Sequence, residues 1–433
     1  MIPSMASLFR QTVAGCLVWA AMTTVGSRAV ASPEDVFGYG PSSQAMGMTG
    51  VAIGRGYETV YTNPALLSLS RDRRLSLGFQ GAHHSLRAVG PNAPGDLYVD
   101  SLRGVIIGAT LPLGFGGVMR DRVTVGVGFF TPTNVVVRGR ILYPEKIQFG
   151  VLGDRAQSVA IQAGFGVNLG YGVRAGLGFA SLAAIAGKVL VATNETGQIG
   201  TKVDDQLIAA YGPIAGLSYD LGEAWRAGLT YRGVLDARFS VTIVVRDLGS
   251  LDVPPLNIAG LAQYDPRQFQ LEFARVRGPW RGAIGAMWRQ WSAYTGPPEP
   301  TVLCPPERPD CKALGQVPFN FHDTISPRVG GERELALGGD AVGRIRAGWA
   351  FEPSPAPEQT REMNFLDSSR HVLTAGYGIE LPWMSLDFYA QYHHLLSRTH
   401  TKDPDVTQTN PGFPYVRSEG HIWVGGLVFG VKL

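Results

Sequence analysis

Residues 384–393 read Met-Ser-Leu-Asp-Phe-Tyr-Ala-Gln-Tyr-His. Met384, Leu386, Phe388, Ala390 and Tyr392 fall on one side of an extended chain, and Asp387, Tyr389, Gln391 and His393 on the other. A period of two is the signature of a two-faced strand. The pattern recurs along the chain. Val123, Val125, Val127 and Phe129 oppose Thr124, Gly126 and Gly128. Trp225, Ala227, Leu229 and Tyr231 oppose Arg226, Gly228, Thr230 and Arg232. Ile345, Ala347, Trp349 and Phe351 oppose Arg344, Arg346, Gly348 and Ala350. One face is apolar with aromatic ends; the other is polar, basic or glycine.

A soluble sandwich also alternates, with its apolar face turned to a core. Two features favour a membrane barrel instead. The segments are long enough for tilted spanning strands, which need about 9–11 residues. Their connections alternate tight turns, near Gly170, Asp220–Glu223, Gly278 and Leu381–Met384, with long stretches at 86–101, 190–205, 246–263, 295–322 and 398–418. That asymmetry is expected of short periplasmic turns and long extracellular loops. The segments are 73–85, 102–113, 122–136, 156–169, 171–189, 206–219, 224–246, 264–276, 279–294, 322–334, 342–353, 368–381, 384–397 and 419–433. They number about fourteen, an even count as a closed antiparallel bacterial barrel requires. The last carries Trp423, Gly425, Leu427, Phe429, Val431 and Leu433 on one face.

Composition agrees. Glycine supplies 56 of 433 residues, roughly twice the usual share of about 7 %. It lacks the three-residue period of collagen, and glycine-rich sequence suits helices poorly. Charged residues are 17 % and apolar ones 45 %, so the chain is not a disordered tail. No runs of about 20 apolar residues mark helical spans. A net charge of +3 is too mild to imply a nucleic-acid partner.

Residues 1–31 read as a secretory signal peptide: Arg10 is the positive n-region, Val13–Val25 the apolar core and Ala29-Val30-Ala31 the cleavage site. The mature chain then begins at Ser32. Val13-Ala14-Gly15-Cys16 resembles a lipoprotein box, but it starts the apolar run rather than ending it. Cleavage leaves Cys304 and Cys311, which in an exported chain form one disulfide or stand as two free thiols. Metal ligation is not expected: zinc needs four ligands and only His322 is near. His83-His84 and His393-His394 place one imidazole on each face of a strand, a poor metal geometry. No cofactor motif appears. Gly164–Gly170 has a superficial G-x-G with strands on both sides, and no G-x-S-x-G elbow occurs. Ser385 and His393 lie too far apart along one strand to act together as a lipase pair.

Residues 32–72 do not alternate. Met46, Met48 and Val51 stand near helical spacing, and Asn63-Pro64-Ala65 opens an apolar turn in which Asn63 caps and Pro64 takes the first position. A compact, small-residue segment before the first strand reads either as a periplasmic extension or as a plug inside the barrel.

The stretch AMGMTGVAIGRGYETVYTNPALLSL resembles the hatch of FadL/TodX-type outer-membrane transporters. Pro327–Gly331, Phe351–Pro357 and Leu366–His371 are similar to that family in order and spacing. The resemblance implies a barrel of fourteen strands (73–433) plugged by an N-terminal hatch (32–72). It implies passive outer-membrane transport of hydrophobic compounds, long-chain fatty acids or aromatic hydrocarbons, with a gap in the wall at the third strand. Phe129, Phe130 and Pro132 stand at that place. Pro132 either breaks the ladder within the strand or lies in a loop after a strand ending at Phe130. Phe130, Tyr389, Met46, Met48, Val51, Leu66 and Leu67 can line an apolar pocket. Arg226, Arg232, Arg289, Arg344 and Arg346 can meet a carboxylate head group or pair with lumenal acids such as Asp387. The expected partners are the hydrophobic solute and the lipid and lipopolysaccharide of the outer membrane, around a monomer. The competing readings are a general diffusion porin, which would lack the plug, and a lipid-hydrolysing barrel.

Overall fold

The computed structural model describes residues 32–99, 101–133, 145–152, 159–193, 199–246, 256–294, 296, 301–302 and 318–433. The segment 1–31 and both cysteines at 304 and 311 lie outside them, as do Cys16 and the proposed cleavage-site alanines.

Fourteen antiparallel strands close into a barrel. They are β1 (Arg74–Val89), β2 (Leu102–Leu113), β3 (Val123–Pro132), β4 (Ala160–Gly170), β5 (Val173–Thr193), β6 (Ile199–Leu221), β7 (Trp225–Arg232), β8 (Gln268–Arg277), β9 (Trp280–Arg289), β10 (Thr324–Gly338), β11 (Ala341–Glu352), β12 (Arg370–Glu380), β13 (Met384–Thr401) and β14 (Tyr415–Lys432). Each pairs with its sequence neighbours in this order, and β14 returns to β1 from Arg74↔Lys432 to Val89↔Arg417. Closure pairs the first strand with the last and leaves no free edge strand, as a hydrocarbon environment demands.

The period of two decides which side chains meet lipid. On β8, Phe269, Leu271 and Phe273 are exposed, whereas Gln270, Glu272 and Ala274 are buried. On β13, Phe388 is exposed while Tyr389, Gln391 and His393 are buried. Aromatic rings gather toward both rims: Tyr171, Trp225, Trp280 and Trp383 near the tight turns, Tyr211, Tyr392, Trp423 and Tyr415 toward the other end. Such belts sit at membrane interfaces.

The segment 224–246, read above as one strand, divides. β7 ends at Arg232, and Leu235–Arg246 departs to pair in parallel with β5 at residues 186–192 and antiparallel with Leu256–Asp265. The connection expected at 246–263 therefore contains a strand. Proline explains the break. Pro213 on β6 has no N–H to offer; its carbonyl accepts from Gly233 N at 2.8 Å, and the β6–β7 ladder stops at Ile214↔Arg232. β5 and β6 also run on to Thr193 and Ile199, which shortens the connection expected at 190–205.

Inside the barrel, residues 32–72 fold into short pieces. These are α1 (Pro33–Phe37), α2 (Pro41–Ala45), a 3-10 turn (Gly56–Glu58), α3 (Thr59–Thr62) and a 3-10 helix (Pro64–Leu69). Asn63 Oδ1 caps the last by accepting from Ala65 N at 3.1 Å. At the opposite end from the tight turns, Tyr264, Trp291, Tyr294, Phe319, Phe321 and Phe365 form a buried aromatic cluster, with the Tyr294 and Phe321 rings 4.8 Å apart. Phe365-Leu366 pairs with Gln148-Phe149 and ties two long connections together. The Lys402 ammonium holds the neighbouring loop by donating to the carbonyls of Gln359, Arg361 and Met363 at 2.8, 2.9 and 2.6 Å.

Candidate functional site: a sealed lumen

The hatch is held to the wall by side chains from many strands. Glu272 on β8 accepts from three consecutive backbone N–H groups, Gly50, Val51 and Ala52, at 2.8, 3.2 and 2.9 Å. Thr374 on β12 accepts from Gly47 N and donates to Ala45 O. Gln391 on β13 donates to Phe37 O and Gln44 O, both at 2.9 Å. Arg328 on β10 reaches Met48 O at 3.1 Å, and Thr230 on β7 reaches Thr62 O at 2.7 Å. Asn63 donates to Val51 O within the hatch and to Leu217 O in the wall, at 2.6 and 2.9 Å. One side chain of the Asn63-Pro64-Ala65 motif thus caps a helix, ties two hatch segments and fastens both to β6.

Buried charges reinforce these ties. Asp35 of α1 meets Arg289 of β9, which also bonds Glu352 of β11 at 2.5 Å; Arg328 reaches the other oxygen of Glu352 at 2.8 Å. Within the hatch, burial pushes the Glu58 carboxyl up to about 8, against the opposing pull of Arg346 and the N–H groups of Ser42 and Ser43. Burial likewise pushes Glu34 up to about 7. A carboxyl raised in the folded state stabilises most when protonated, and that stability is lost as pH rises through the raised value. Protease protection of the hatch in the folded barrel should therefore fall between about pH 5 and pH 8. Glu58→Gln should flatten the change; an unchanged pH dependence in that variant would refute the assignment.

The sequence-derived candidates separate into three places. Leu66, Arg226, Arg344 and Arg346 border one cavity of about 560 Å³ between the hatch and the tight-turn end. These three arginines are ion-paired: Arg226 with Asp220 at 2.7 Å, Arg344 with Glu334 and Glu380 at 3.3 and 2.5 Å, and Arg346 with Glu332 and Asp387 at 2.8 and 2.6 Å. Met46, Met48 and Val51 pack between hatch and wall. Met46 lies with Ala274 and Ala283, Met48 with Ala350 and Val372, and Val51 is fully buried. Phe130 turns inward into a third group, with Ile106, Leu102, Phe149 and Leu182 on the long-loop side of the hatch. Tyr389, buried, donates to Gln80 Oε1 at 3.1 Å. Arg232 bonds Gln268 and Tyr61 O and stacks on the Tyr61 ring at 4.6 Å.

At the third strand, β3 pairs with β2 as far as Gly104↔Pro132 but with β4 only to Phe130↔Ala160. Thr133 N donates to Arg103 O at 3.0 Å, so the backbone groups of Pro132 face the β4 side. The missing N–H of Pro132 therefore falls on the edge where pairing with β4 has stopped. Phe129 looks outward and Pro132 inward, half-exposed and buried respectively.

Arg289 was among the inward arginines named above; Glu272, Asp35, Glu352 and Asp265 were not singled out. The signal was available for Glu272, an acid at an inward position of a strand whose other face is Phe269, Leu271 and Phe273, and for Glu352, which continues the inward series of Arg346, Gly348 and Ala350.

Two cavities between hatch and wall, beside Arg232 and Tyr61, hold about 10 Å³ each, less than or barely one water. The lumen is closed across the hatch there, and the arrangement is a plugged barrel with packed apolar and aromatic side chains on the long-loop side and a charged, largely ion-paired vestibule on the other.

Comparison with known proteins agrees. The family described as "Outer membrane protein transport protein (OMPP1/FadL/TodX)" matches residues 23–432. Alkane uptake protein A of Marinobacter nauticus is 24 % identical over 447 residues, covering 94 % of this chain and 91 % of that one. A FadL homologue of Pseudomonas aeruginosa superposes with a TM-score of 0.61 at 13 % identity, over 94 % of this chain and 100 % of its own. The Pseudomonas putida toluene transporter TodX gives 0.54 at 15 % identity, over 92 % and 99 %. The chain belongs to the OMPP1/FadL/TodX family of outer-membrane transport proteins.

Proposed function

We propose that the protein takes up uncharged hydrophobic compounds, alkanes or aromatic hydrocarbons, across the outer membrane without energy input. The carrying observation is the plugged lumen with buried aromatic and aliphatic side chains on its long-loop side. A water-filled pore would not favour such solutes, since each buried methylene is worth roughly 0.8 kcal/mol out of water. An apolar pocket above a plug can hold them. The vestibule arginines Arg226, Arg344 and Arg346 pair with Asp220, Glu332, Glu334, Glu380 and Asp387 and lie across the hatch from the long-loop entry, so they are not on the solute's route. The long-loop side that the solute meets is built of buried aromatic and aliphatic side chains, which favours neutral hydrocarbons over fatty acids. The names of the alkane and toluene relatives point the same way. In cells expressing the protein, uptake of labelled alkane or toluene should exceed uptake of labelled oleate; the reverse order would overturn the substrate class. A diffusion porin would instead give a large, steady conductance in a planar bilayer.

The route follows from the ladder. The solute collects on the aromatic cluster at the long-loop end, moves to the Phe130 group and leaves sideways where β3 and β4 part, reaching lipid without crossing bulk water. The barrel does this as a monomer, its outer face in lipid and its long loops among lipopolysaccharide. Pro132→Ala restores a donor toward β4, so uptake should slow severalfold while the barrel stays heat-modifiable. Unchanged uptake by a folded variant would remove the lateral exit.

A further inference from the structure

We infer that the amino group created by cleavage after Ala31 is a structural cation, and that a buried ion pair between the Ser32 ammonium and Asp265 completes the plug. The inference rests on the cleavage site read from Ala29-Val30-Ala31, and is independent of which solute is carried.

Three observations meet at one nitrogen. First, Ser32 N donates to Asp265 Oδ1, and the Ser32 hydroxyl also bonds that carboxylate. Ser32 is 2 % exposed and Asp265 5 %. Asp265 stands just before β8, so this contact fastens the start of the hatch to the wall. Second, among the described residues the carboxylate has no side-chain cation within ion-pair distance. The charges that act on it most strongly are Asp35 and Glu34 from α1, both of which oppose its ionisation. Asp35 is matched by Arg289, and Arg289 also serves Glu352. Arg232 spends its guanidinium on Gln268 and on Tyr61 O. Among the described residues, no arginine or lysine forms an ion pair with Asp265. Third, the space beside it, bounded by Tyr61, Arg232, Leu235 and Gln268, holds about 10 Å³, too little for a hydrated counter-ion.

An uncompensated buried carboxylate is costly, whereas one paired with a hydrogen-bonded cation is tolerated. A peptide nitrogen offers one neutral donor. A free α-amino group offers three donors and a positive charge, since its ordinary pKa lies near 8 and a buried anion raises it. The cleavage site predicted from residues 29–31 puts that charge on the nitrogen that bonds Asp265. Removal of the leader and seating of the hatch are thus coupled: a chain that keeps residues 1–31 presents a neutral amide there and holds its hatch more loosely.

The test is amine acylation of the folded, purified protein with an N-hydroxysuccinimide ester near pH 7, read by mass spectrometry of the N-terminal peptide. In the wild type the chain should start at Ser32 and its amine should acylate at least tenfold more slowly than after denaturation. Asp265→Asn should raise the native rate by about tenfold, with earlier protease cleavage inside residues 32–72. A mature chain starting elsewhere would overturn the proposal. So would rapid acylation of the native wild type, a readout that needs no variant to fold. Equal protection in wild type and Asp265→Asn would show burial without pairing and would also overturn it. None of these outcomes depends on uptake, so a failed substrate assignment leaves them readable.

Discussion

Glu272→Ala is expected to unplug the barrel while leaving its wall intact. The carboxylate is fully buried and accepts from Gly50, Val51 and Ala52. Hydrogen bonds to a charged group contribute about 1.5–3 kcal/mol each, so removing all three weakens hatch seating by on the order of 5 kcal/mol. That is three to four orders of magnitude in the balance between seated and displaced hatch, at about 1.4 kcal/mol per tenfold. The β8 ladders to β7 and β9 use backbone groups from Arg275↔Trp225 to Gln268↔Arg289 and do not depend on the side chain. In a planar bilayer the variant should show large conductance events, and protease should reach residues 32–72. Its electrophoretic shift on heating should match the wild type. Glu272→Gln keeps an oxygen for part of the set and turns an amide toward the rest, so it should fall between. A wild-type conductance trace from Glu272→Ala, with the hatch still protected, would show that this carboxylate does not hold the plug.

How far the sequence reaches is clearest at such contacts. Alternation is a local property, and it placed the lipid and lumen faces of β3, β7, β11 and β13 correctly, because the pleat leaves one choice once lipid covers one side. The count of fourteen followed, since the tight turns are marked by glycine or, at 381–384, by Pro382. The segment 224–246 divided because Pro213, which lies well before it, removes the donor that would have continued the ladder. That cause lies on the partner strand and is invisible in the segment itself. The site is less legible for the same reason. Asn63-Pro64-Ala65 announces a cap, but its bond to Leu217 O joins residues far apart in sequence. The arginines of β7 and β11 were readable as inward; that Asp220, Glu332 and Glu380 answer them depends on register across strands. Asp35 and Asp265 look like ordinary loop acids until the barrel closes around them.

Glycine makes the same point with a measurable consequence at Gly348. On β11 this residue stands between Gly330 of β10 and Thr374 of β12. A Cβ on Gly348 would lie 2.2 Å from Gly47 N and 2.3 Å from Met46 C, and one on Gly330 would lie 2.1 Å from Met46 O. Gly47 itself has φ +65°, and a Cβ there would meet Val329 O at 2.5 Å. The Met46-Gly47 turn therefore lies backbone to backbone on two adjacent strands, and no side-chain rotation can relieve an added methyl. Ordinary contact begins near 3.4 Å, so the turn must withdraw by more than an ångström. That breaks the bonds from Gly47 N to Thr374 Oγ1 at 2.8 Å and from Thr374 Oγ1 to Ala45 O at 2.9 Å. Overpacking adds about 1–3 kcal/mol, and two hydrogen bonds add about 1 kcal/mol each. Gly348→Val should therefore loosen the hatch strongly, with Gly348→Ala following in the same direction. Gly331→Ala is the matched control: its Cβ meets only Arg281 O, at 3.6 Å, because one step along β10 turns the position to the other face. Protease exposure of residues 32–72 and bilayer conductance should rise for both Gly348 variants and stay at the wild-type level for Gly331→Ala. If all three behave alike, close backbone approach is not what seats the plug, and the glycine excess would reflect the wall alone.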